Sequence, residues 1–259
     1  MELDLYQVDA FSSQTFSGNP AAVCPLDNWL SDELMQKIAQ ENNLAETAFF
    51  VKEESGYYIR WFTPTKEVNL CGHATLASAF ILFEKLGHSN HTIHFQCKSG
   101  ALSVKKEHGL LQLNFPSQNP QLCETPQALI DAFGKAPLAC FENEDYLAVY
   151  DDETFIKNVD PNMALLETLD LRGVIITSQS DQYDFINRVF APKYGINEDP
   201  VTGSAFTKLI PYWAKELSKS TLKAKQVSKR GGEVNCELAH DRVLISGACT
   251  LYMVAKIYL

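Results

Sequence analysis

The sequence repeats one short pattern in its two halves, and this repeat limits the fold to an arrangement of two similar units. Residues 60–64 (RWFTP) and 188–192 (RVFAP) both read R-x-F-x-P, about half of the 259-residue chain apart. Shortly after each copy, a glycine, a small or polar residue and an alanine precede an apolar helical pattern, at 72–74 (GHA) and at 203–205 (GSA). Ordered matches at nearly one spacing indicate a duplicated strand–turn–helix unit.

Each repeat puts the beginning of a helix just after a strand. Apolar residues recur at spacings of three and four after Gly72 and again after Gly203, which is typical of a helix buried in a core. The first N–H groups of a helix have no partner within the helix and carry a partial positive charge, and glycine lets a ligand approach them closely. We therefore expect the two helix starts to bind the carboxylates of a small molecule. The alternative is that both glycines only permit tight turns.

The remaining patterns predict mostly strands. Apolar and polar residues alternate over 3–10, and Ser31 is placed to cap a helix that reaches about Asn43.

Pro211 interrupts the second of the helices that follow the repeats, so we expect a kink or an early end there. The segment 115–120 (FPSQNP) is typical of a loop that leads out of the first lobe, so the predicted domain boundary follows residue 118.

Charge and composition exclude several classes of function. Lysine and arginine number 22 against 32 acidic residues, a net charge of −10, and the basic residues of 215–230 are interspersed with others, so we expect no nucleic-acid partner. No apolar run approaches the length of a membrane span, and residues 1–4 (MELD) are unlike a signal peptide. Seven cysteines without a C-x-x-C motif indicate reduced thiols. We expect a cytoplasmic protein with no membrane partner.

Five motifs occur in an order and spacing that resemble a known family. They are 18–23 (GNPAAV), 43–49 (NLAETAF), 60–64 (RWFTP), 70–75 (LCGHAT) and 198–205 (EDPVTGSA). The chain resembles the PhzF-like, or phenazine biosynthesis-like, family of the diaminopimelate epimerase-like superfamily, and the resemblance covers essentially its whole length.

The resemblance implies an α+β fold of two similar lobes, each a curved mixed sheet or open barrel around a central helix. The active site of such a fold is expected in the cleft between the lobes. Residues 1–118 would form the first lobe and 119–247 the second, with the last strand, about 248–259, returning to the first. Family members can form dimers, and the sequence shows no diagnostic patch, so a homodimer stays open.

The resemblance also implies which residues act. The catalytic glutamate of the family falls on Glu46, its motif histidine on His73 and its aspartate on Asp199. Positions expected to bind the substrate fall on Asn19, Cys71, Gly72, Thr202, Gly203 and Ser204. The implied activity is an isomerase that moves a carbon-bound proton on a small anionic, carboxylate-bearing substrate, with no metal and no organic cofactor.

The local sequence around these residues bears on their roles. Glu46 has apolar neighbours on both sides, a setting that would bury its carboxyl group, as general acid–base catalysis often requires. His73 stands at a helix start, which disfavours a protonated ring, so we expect a neutral imidazole. Asp199 precedes a proline near the second helix start, so it either orients the substrate or caps that helix.

Two departures from the family pattern keep alternatives open. Phe206 stands where many relatives have a histidine, which removes a polar group near the expected cleft. Related racemases and epimerases use two cysteines, one per lobe, but the position that matches Cys71 in the second half, near Thr202, has no thiol. This argues against two-cysteine chemistry. The alternatives are a racemase or epimerase of an amino or hydroxy acid, and a binding protein that kept the cleft and lost catalysis.

Overall fold

The computed structural model describes all 259 residues and separates them into two compact units. Unit 1 consists of residues 1–114 together with 246–259, and unit 2 consists of residues 115–245. The end of the chain therefore belongs to the same unit as its beginning.

Strands make up most of the secondary structure, with helices inserted between them. The first 116 residues form β1 (Glu2–Ala10), β2 (Asn19–Leu26), α1 (Asp32–Asn42), β3 (Glu46–Glu53), β4 (Gly56–Phe62), β5 (Glu67–Val68), α2 (Gly72–Glu84), β6 (Thr92–Cys97), β7 (Gly100–Glu107) and β8 (Leu110–Pro116). The rest forms β9 (Gln121–Cys123), α3 (Gln127–Phe133), β10 (Ala139–Glu142), β11 (Tyr146–Val149), α4 (Glu153–Asn158), α5 (Met163–Glu167), β12 (Val174–Gln179), β13 (Phe185–Ala191), a 3-10 turn (Pro192–Tyr194), β14 (Ile196–Asp199), α6 (Gly203–Leu217), β15 (Thr221–Gln226), β16 (Gly232–Ala239), β17 (Arg242–Gly247) and β18 (Cys249–Tyr258).

Strand pairing in unit 1 gives a mixed sheet. β2 is parallel to β3, β3 is antiparallel to β4, β4 is parallel to β6, and β6 and β7 continue antiparallel. β1 lies between β2 and β18 and pairs antiparallel with both, which joins the last strand of the chain to the first.

Unit 2 repeats this order of pairings. β11 is parallel to β12, β12 is antiparallel to β13, β13 is parallel to β15, and β15 is antiparallel to β16. The repeat seen in the sequence is therefore a repeat of structure: in each unit, a strand carrying R-x-F-x-P leads through a short strand to a helix that begins at a glycine.

The arginine of each R-x-F-x-P motif fixes the turn between the two strands. Arg60 binds both carboxylate oxygens of Glu67 at 2.8 and 2.9 Å, and its guanidinium lies 5.2 Å from the ring centroid of Phe62. Arg188 binds both carboxylate oxygens of Glu198 at 2.6 and 3.1 Å, and its guanidinium lies 4.9 Å from the ring centroid of Phe190. Bidentate pairing and stacking suit the planar guanidinium, which explains why arginine stands at this position in both copies.

The two helices that begin at the motif glycines lie in the cores. Nine of the 13 residues of α2 are buried, and the helix packs against β1, β2, β3, β7 and β18. Its small residues Ala74, Ala77 and Ala79 are fully buried, which lets the surrounding strands approach the helix closely. Helix α6 packs against β15 and β16 in unit 2. Among the helices of the structure, none combines the length and the apolar character that a membrane span requires.

Helix α6 continues through Pro211 to Leu217, so the expected early end is wrong. A proline cannot donate to the carbonyl four residues earlier, here that of Thr207. The backbone N–H of Gln118 donates to this carbonyl instead, at 3.0 Å, and the Thr207 hydroxyl donates to the Gln118 side chain at 2.7 Å. A segment distant in sequence thus satisfies the acceptor that the proline leaves unpaired.

Gly18 makes the turn that leads into β2. Its φ is +70°, and a Cβ atom at this position would lie 2.2 Å from the carbonyl oxygen of Ala10. Only glycine fits such a turn, which explains the first residue of the 18–23 motif. The turn delivers Asn19 as the first residue of β2, fully buried.

Candidate active site

The predicted acid/base residues of unit 1 meet where β3 and α2 begin. Glu46 is the first residue of β3, His73 is the second residue of α2, and the two side chains are 9% and 5% exposed. Oε2 of Glu46 lies 3.1 Å from Nε2 of His73. Both atoms are buried, and they lack the alignment of a hydrogen bond. Each therefore keeps the capacity to bind a hydrogen-bonding group of a ligand.

The other nitrogen of the His73 ring faces two further residues of unit 1. The side-chain amide of Asn19 lies 3.2 Å from Nδ1, and the Sγ atom of Cys71 lies 3.6 Å from it. Asn19 is separated from His73 by 54 residues in the sequence, but the start of β2 brings it to the start of α2. The ring is therefore contacted at both nitrogens, which fixes its orientation toward Glu46.

The charges around His73 favour a protonated ring, in contrast to the expected neutral imidazole. Burial lowers the pKa of His73, but the interactions of the ring with Cys71 and Glu46 outweigh burial and hold this pKa well above its ordinary value. Burial, together with the charge of Glu46, raises the pKa of Cys71 to about 11, so at neutral pH the thiol is protonated. Because a protonated thiol carries no charge, the carboxylate of Glu46 is the negative charge that favours a protonated His73 at neutral pH.

The donor atoms of Glu46, Cys71 and His73 all lie within 4.8 Å of one another. A metal ion held by the three would need one ring nitrogen directed at the same point as the sulfur and the carboxylate oxygen. Instead Nδ1 faces the thiol and Nε2 faces the carboxylate. An imidazole with different partners on its two nitrogens suits proton transfer across the ring better than shared ligation of one ion.

In unit 2, the predicted residues lie between the end of β14 and the start of α6. Asp199 ends β14, and the hydroxyl of Thr202 donates to its carboxylate at 2.5 Å. Thr202, not Asp199, occupies the N-cap position of α6, and it makes no side-chain hydrogen bond to the helix backbone. Gly203 is the first residue of that helix. The start of α6 thus lacks the usual side-chain cap, as does the start of α2 at Cys71.

Sequence reasoning missed Gln226, which holds this segment in place. Its amide group donates to the carbonyl of Asp199 at 2.6 Å, and its oxygen accepts from the backbone N–H of Thr202 at 2.9 Å. Gln226 is fully buried at the end of β15. The sequence contained one indication of this role. Gln226 occupies an inward-facing position of a strand, where an apolar residue is usual.

Sequence reasoning also missed Arg172, which binds Ser204. Nη2 of Arg172 donates to the Ser204 hydroxyl at 3.1 Å. The same guanidinium forms an ion pair with Asp145. A carboxylate oxygen of Asp145 also lies 3.1 Å from the Nζ atom of Lys208, which is fully buried. Burial raises the pKa of Asp145, but hydrogen bonds and charge from Arg172, with help from Lys208, outweigh burial and lower it. Ser204 is therefore oriented by a cation from a loop 32 residues earlier in the chain.

Phe206, which stands where many members of the family have a histidine, packs inside unit 2. Phe206 is fully buried, and its ring centroid lies 6.2 Å from that of Phe185 on β13. An apolar side chain at this position therefore belongs to the core of unit 2.

The structure thus groups the predicted site residues into two sets. Unit 1 contains Asn19, Glu46, Cys71, Gly72 and His73, and unit 2 contains Asp199, Thr202, Gly203 and Ser204. The family model described as phenazine biosynthesis-like protein matches residues 8–255. The chain belongs to the phenazine biosynthesis-like family.

Other members of the phenazine biosynthesis-like family resemble the chain over its whole length. A protein of Pseudomonas aeruginosa described as an uncharacterized isomerase is 49% identical over 259 residues, covering 100% of both chains. A crystal structure of a PhzF-family protein from Enterococcus faecalis is 45% identical, covers 100% of both chains and superposes with a TM-score of 0.98. These likenesses confirm the family and assign the enzyme class isomerase to this chain.

A more distant structure bears on the fold alone. A hydroxyproline epimerase from Agrobacterium vitis, solved with bound trans-4-OH-L-proline, has a TM-score of 0.66 and 11% identity, covering 99% of this chain and 92% of the epimerase. The predicted α+β fold of the epimerase-like type is therefore confirmed for this member of the phenazine biosynthesis-like family.

Proposed function

We propose that this protein is a cofactor-independent isomerase that moves a carbon-bound proton on a small carboxylate-bearing molecule, with Glu46 as the acid/base. The observation that carries the proposal is the buried pair of Glu46 and His73, with 3.1 Å between Oε2 and Nε2. A carboxylate beside an imidazole of raised pKa supplies a proton acceptor and a cation at one place.

The proposed reaction needs no electron donor or acceptor. The carboxylate of Glu46 takes a proton from one carbon, and the electron pair of the broken C–H bond stays on the substrate, where it shifts the adjacent double bond. The protonated Glu46 then gives the proton to a second carbon, which restores the carboxylate. The positive charge of His73 stabilises the negative charge that develops on the substrate between these steps. Asn19, fully buried against Nδ1, holds the ring in position.

Substrate recognition is proposed from the helix starts and the family motifs. Cys71 makes no side-chain hydrogen bond to the backbone of α2, so the N–H groups that begin at Gly72 are suited to a carboxylate. In unit 2 the motif residues Asp199, Thr202, Gly203 and Ser204 are assigned to the substrate as well, because the family motif carries them.

The test is solvent-deuterium exchange into a panel of cyclic and linear carboxylates, followed by NMR. The expected result is exchange at a C–H bond of at least one compound, lost in Glu46→Gln. Glu53→Gln is the matched control, because Glu53 is the exposed last residue of the same strand, β3. It should exchange like the unchanged protein. Exchange that persists in a folded Glu46→Gln protein would refute the assignment.

The racemase or epimerase alternative makes a different prediction for the same panel. Such an enzyme would invert one carbon and would need Cys71 as a thiolate base. A pKa of about 11 keeps that thiol protonated at neutral pH, and the matching N-cap of α6 is Thr202. Inversion at one carbon, abolished in Cys71→Ser, would favour the epimerase over the proton-shifting isomerase.

We further propose a reducing compartment, the cytoplasm, for this activity. All seven cysteines are free thiols, five of them buried, as expected for a protein that folds without oxidation.

A further inference from the structure

Two free cysteines of unit 2 lie directly opposite each other on neighbouring strands. Strands β9 and β10 pair antiparallel, and their register places Cys123 opposite Cys140. Residues that face each other in such a pair point to the same side of the sheet, with their Cα atoms about 4.5–5.5 Å apart. A disulfide needs Cα atoms about 4.4–6.8 Å apart. The backbone therefore already holds these two residues at the separation that a disulfide requires.

The other cysteines have surroundings of a different kind. Those that lie on strands face residues that are not cysteines: Cys24 faces Phe49, Cys97 faces Gly100, Cys236 faces Leu222 and Cys249 faces Ala10. The remaining cysteine, Cys71, contacts His73 in the candidate active site. The opposed pair is thus a specific feature of the contact between β9 and β10.

The two thiols of the pair interact, and they differ in exposure. Cys123 is partly exposed, whereas Cys140 is 1% exposed. Burial raises the pKa of both thiols, that of Cys140 to about 12. The hydrogen bond between the two side chains lowers the pKa of Cys123 and raises that of Cys140, so Cys123 loses its proton first. Cys123 is therefore both the thiol that a reagent in solution reaches and the one that forms the attacking thiolate.

Strand β9 is short, which gives solvent access to the buried thiol. The strand has three residues, and Gln121 and Leu122 are both exposed. It is joined to β10 by three residue pairs. Elements with few buried contacts open locally at a low cost in free energy. Such an opening admits the water that takes up the proton of Cys140.

We propose that Cys123 and Cys140 form a reversible disulfide when the protein meets a small disulfide compound as oxidant. Cys123 gives its proton to water, and its thiolate attacks one sulfur of the compound, which forms a mixed disulfide and releases one small thiolate. Cys140 then gives its proton to water, and its thiolate attacks the Cys123 sulfur, which breaks the mixed disulfide and releases the second small thiolate. The two released thiolates take up the two protons. The cysteines are oxidised by two electrons, and the small disulfide is reduced to two thiols.

This disulfide fixes a segment that supports helix α6. Three residues before β9, the backbone N–H of Gln118 donates to the carbonyl of Thr207 at 3.0 Å. The Thr207 hydroxyl in turn donates to the carbonyl of Ser204 at 2.7 Å. A bond between Cys123 and Cys140 closes a loop of about 17 residues, which restricts the unfolded chain. The oxidised protein should therefore unfold at a higher urea concentration than the reduced protein. The bond is independent of the isomerase activity proposed above.

The test is treatment of the full chain with 2-hydroxyethyl disulfide at about pH 8.5, where more of the thiol is ionised than at neutral pH. Iodoacetamide then blocks the remaining thiols, and mass spectrometry identifies the peptides without reduction. The expected result is a pair of peptides joined through Cys123 and Cys140, which dithiothreitol separates. Cys249→Ser is the matched control, because Cys249 is the other partly exposed cysteine but lies opposite Ala10. It should form the same cross-link as the unchanged protein.

Cys140→Ser separates the two steps of the reaction. This variant should stop at the mixed disulfide on Cys123, and the same treatment should not raise the urea concentration at which it unfolds. Three results for the unchanged protein would overturn the proposal. The first is no reaction at Cys123, or a mixed disulfide on Cys123 with Cys140 still open to alkylation. The second is Cys123 joined to other cysteines as often as to Cys140, which would show that an unfolded chain reacts. The third is a cross-linked protein that unfolds at the same urea concentration as the reduced one.

Discussion

Glu46 and His73 form a buried pair in which Oε2 lies 3.1 Å from Nε2, while Asn19 approaches Nδ1 at 3.2 Å. The carboxylate therefore acts on one side of the ring and the amide on the other. This arrangement lets one residue set the charge of the imidazole and another set its orientation. It also makes the charge of His73 depend on a residue from a different element, which gives the first prediction.

Replacing Glu46 by glutamine should lower the pKa of His73. The substitution removes the negative charge nearest to Nε2 but leaves the burial that opposes protonation. NMR titration of the imidazole resonances measures this pKa directly. Glu53→Gln, at the exposed end of the same strand, should leave the His73 titration as it is. An unchanged titration in folded Glu46→Gln would contradict the role assigned to the carboxylate.

The pair should also make stability depend on pH. The pKa of His73 is higher in the folded protein than its ordinary value of 6.5, so folding favours the protonated ring. The resulting stabilisation is fully present below pH 6.5 and is lost as pH rises through the folded value. The unchanged protein should therefore have a higher free energy of unfolding than His73→Gln at pH 6, and this difference in free energy should decrease as the pH rises. Urea denaturation at successive pH values measures it, and a difference that grows with pH would contradict the pairing.

Cys71 should react as a protonated thiol. With a pKa of about 11, its rate of alkylation by iodoacetamide should rise about tenfold per pH unit between pH 7 and 9, with no plateau. Mass spectrometry of the peptide containing Cys71 gives this rate separately from the other six cysteines. A plateau near neutral pH would reveal a thiolate, the form that a two-cysteine epimerase requires.

The motifs led to the correct elements because their physical causes are local. The R-x-F-x-P arginine meets its phenylalanine two residues later and its glutamate within the next ten, so the repeat was readable from spacing. The glycines of the two motifs begin α2 and α6, as the apolar periodicity predicted. Glu46 was identified by resemblance, and its apolar neighbours indicated its burial.

The features that sequence reasoning missed depend on contacts between distant segments. His73 was expected to be neutral because only its helix was considered, whereas its charge depends on Glu46, which precedes it on another element. Pro211 was expected to interrupt α6, but Gln118 satisfies the carbonyl that the proline leaves unpaired. Arg172 reaches Ser204 from a loop between α5 and β12. No local pattern encodes such pairs, because the fold brings them together.

Gly18→Ala should destabilise the protein more than Gly87→Ala. Both glycines have a positive φ, +70° and +68°, so both substitutions cost about 1–2 kcal/mol of backbone strain. At Gly87 an added Cβ meets nothing within 4 Å, whereas at Gly18 it meets the carbonyl oxygen of Ala10 at 2.2 Å. Backbone must move to relieve that contact, so the loss at Gly18 should reach about 3 kcal/mol or more.

Urea denaturation of the two variants measures this difference, and Gly87→Ala serves as the control for backbone strain. The displaced turn directly precedes Asn19, whose amide lies 3.2 Å from the His73 ring. Gly18→Ala should therefore also slow proton exchange into the substrate, whereas Gly87→Ala, in the exposed loop after α2, should not. Equal stability loss in the two variants would show that the turn at Gly18 adapts to a side chain, and that Gly18 does not fix the position of Asn19.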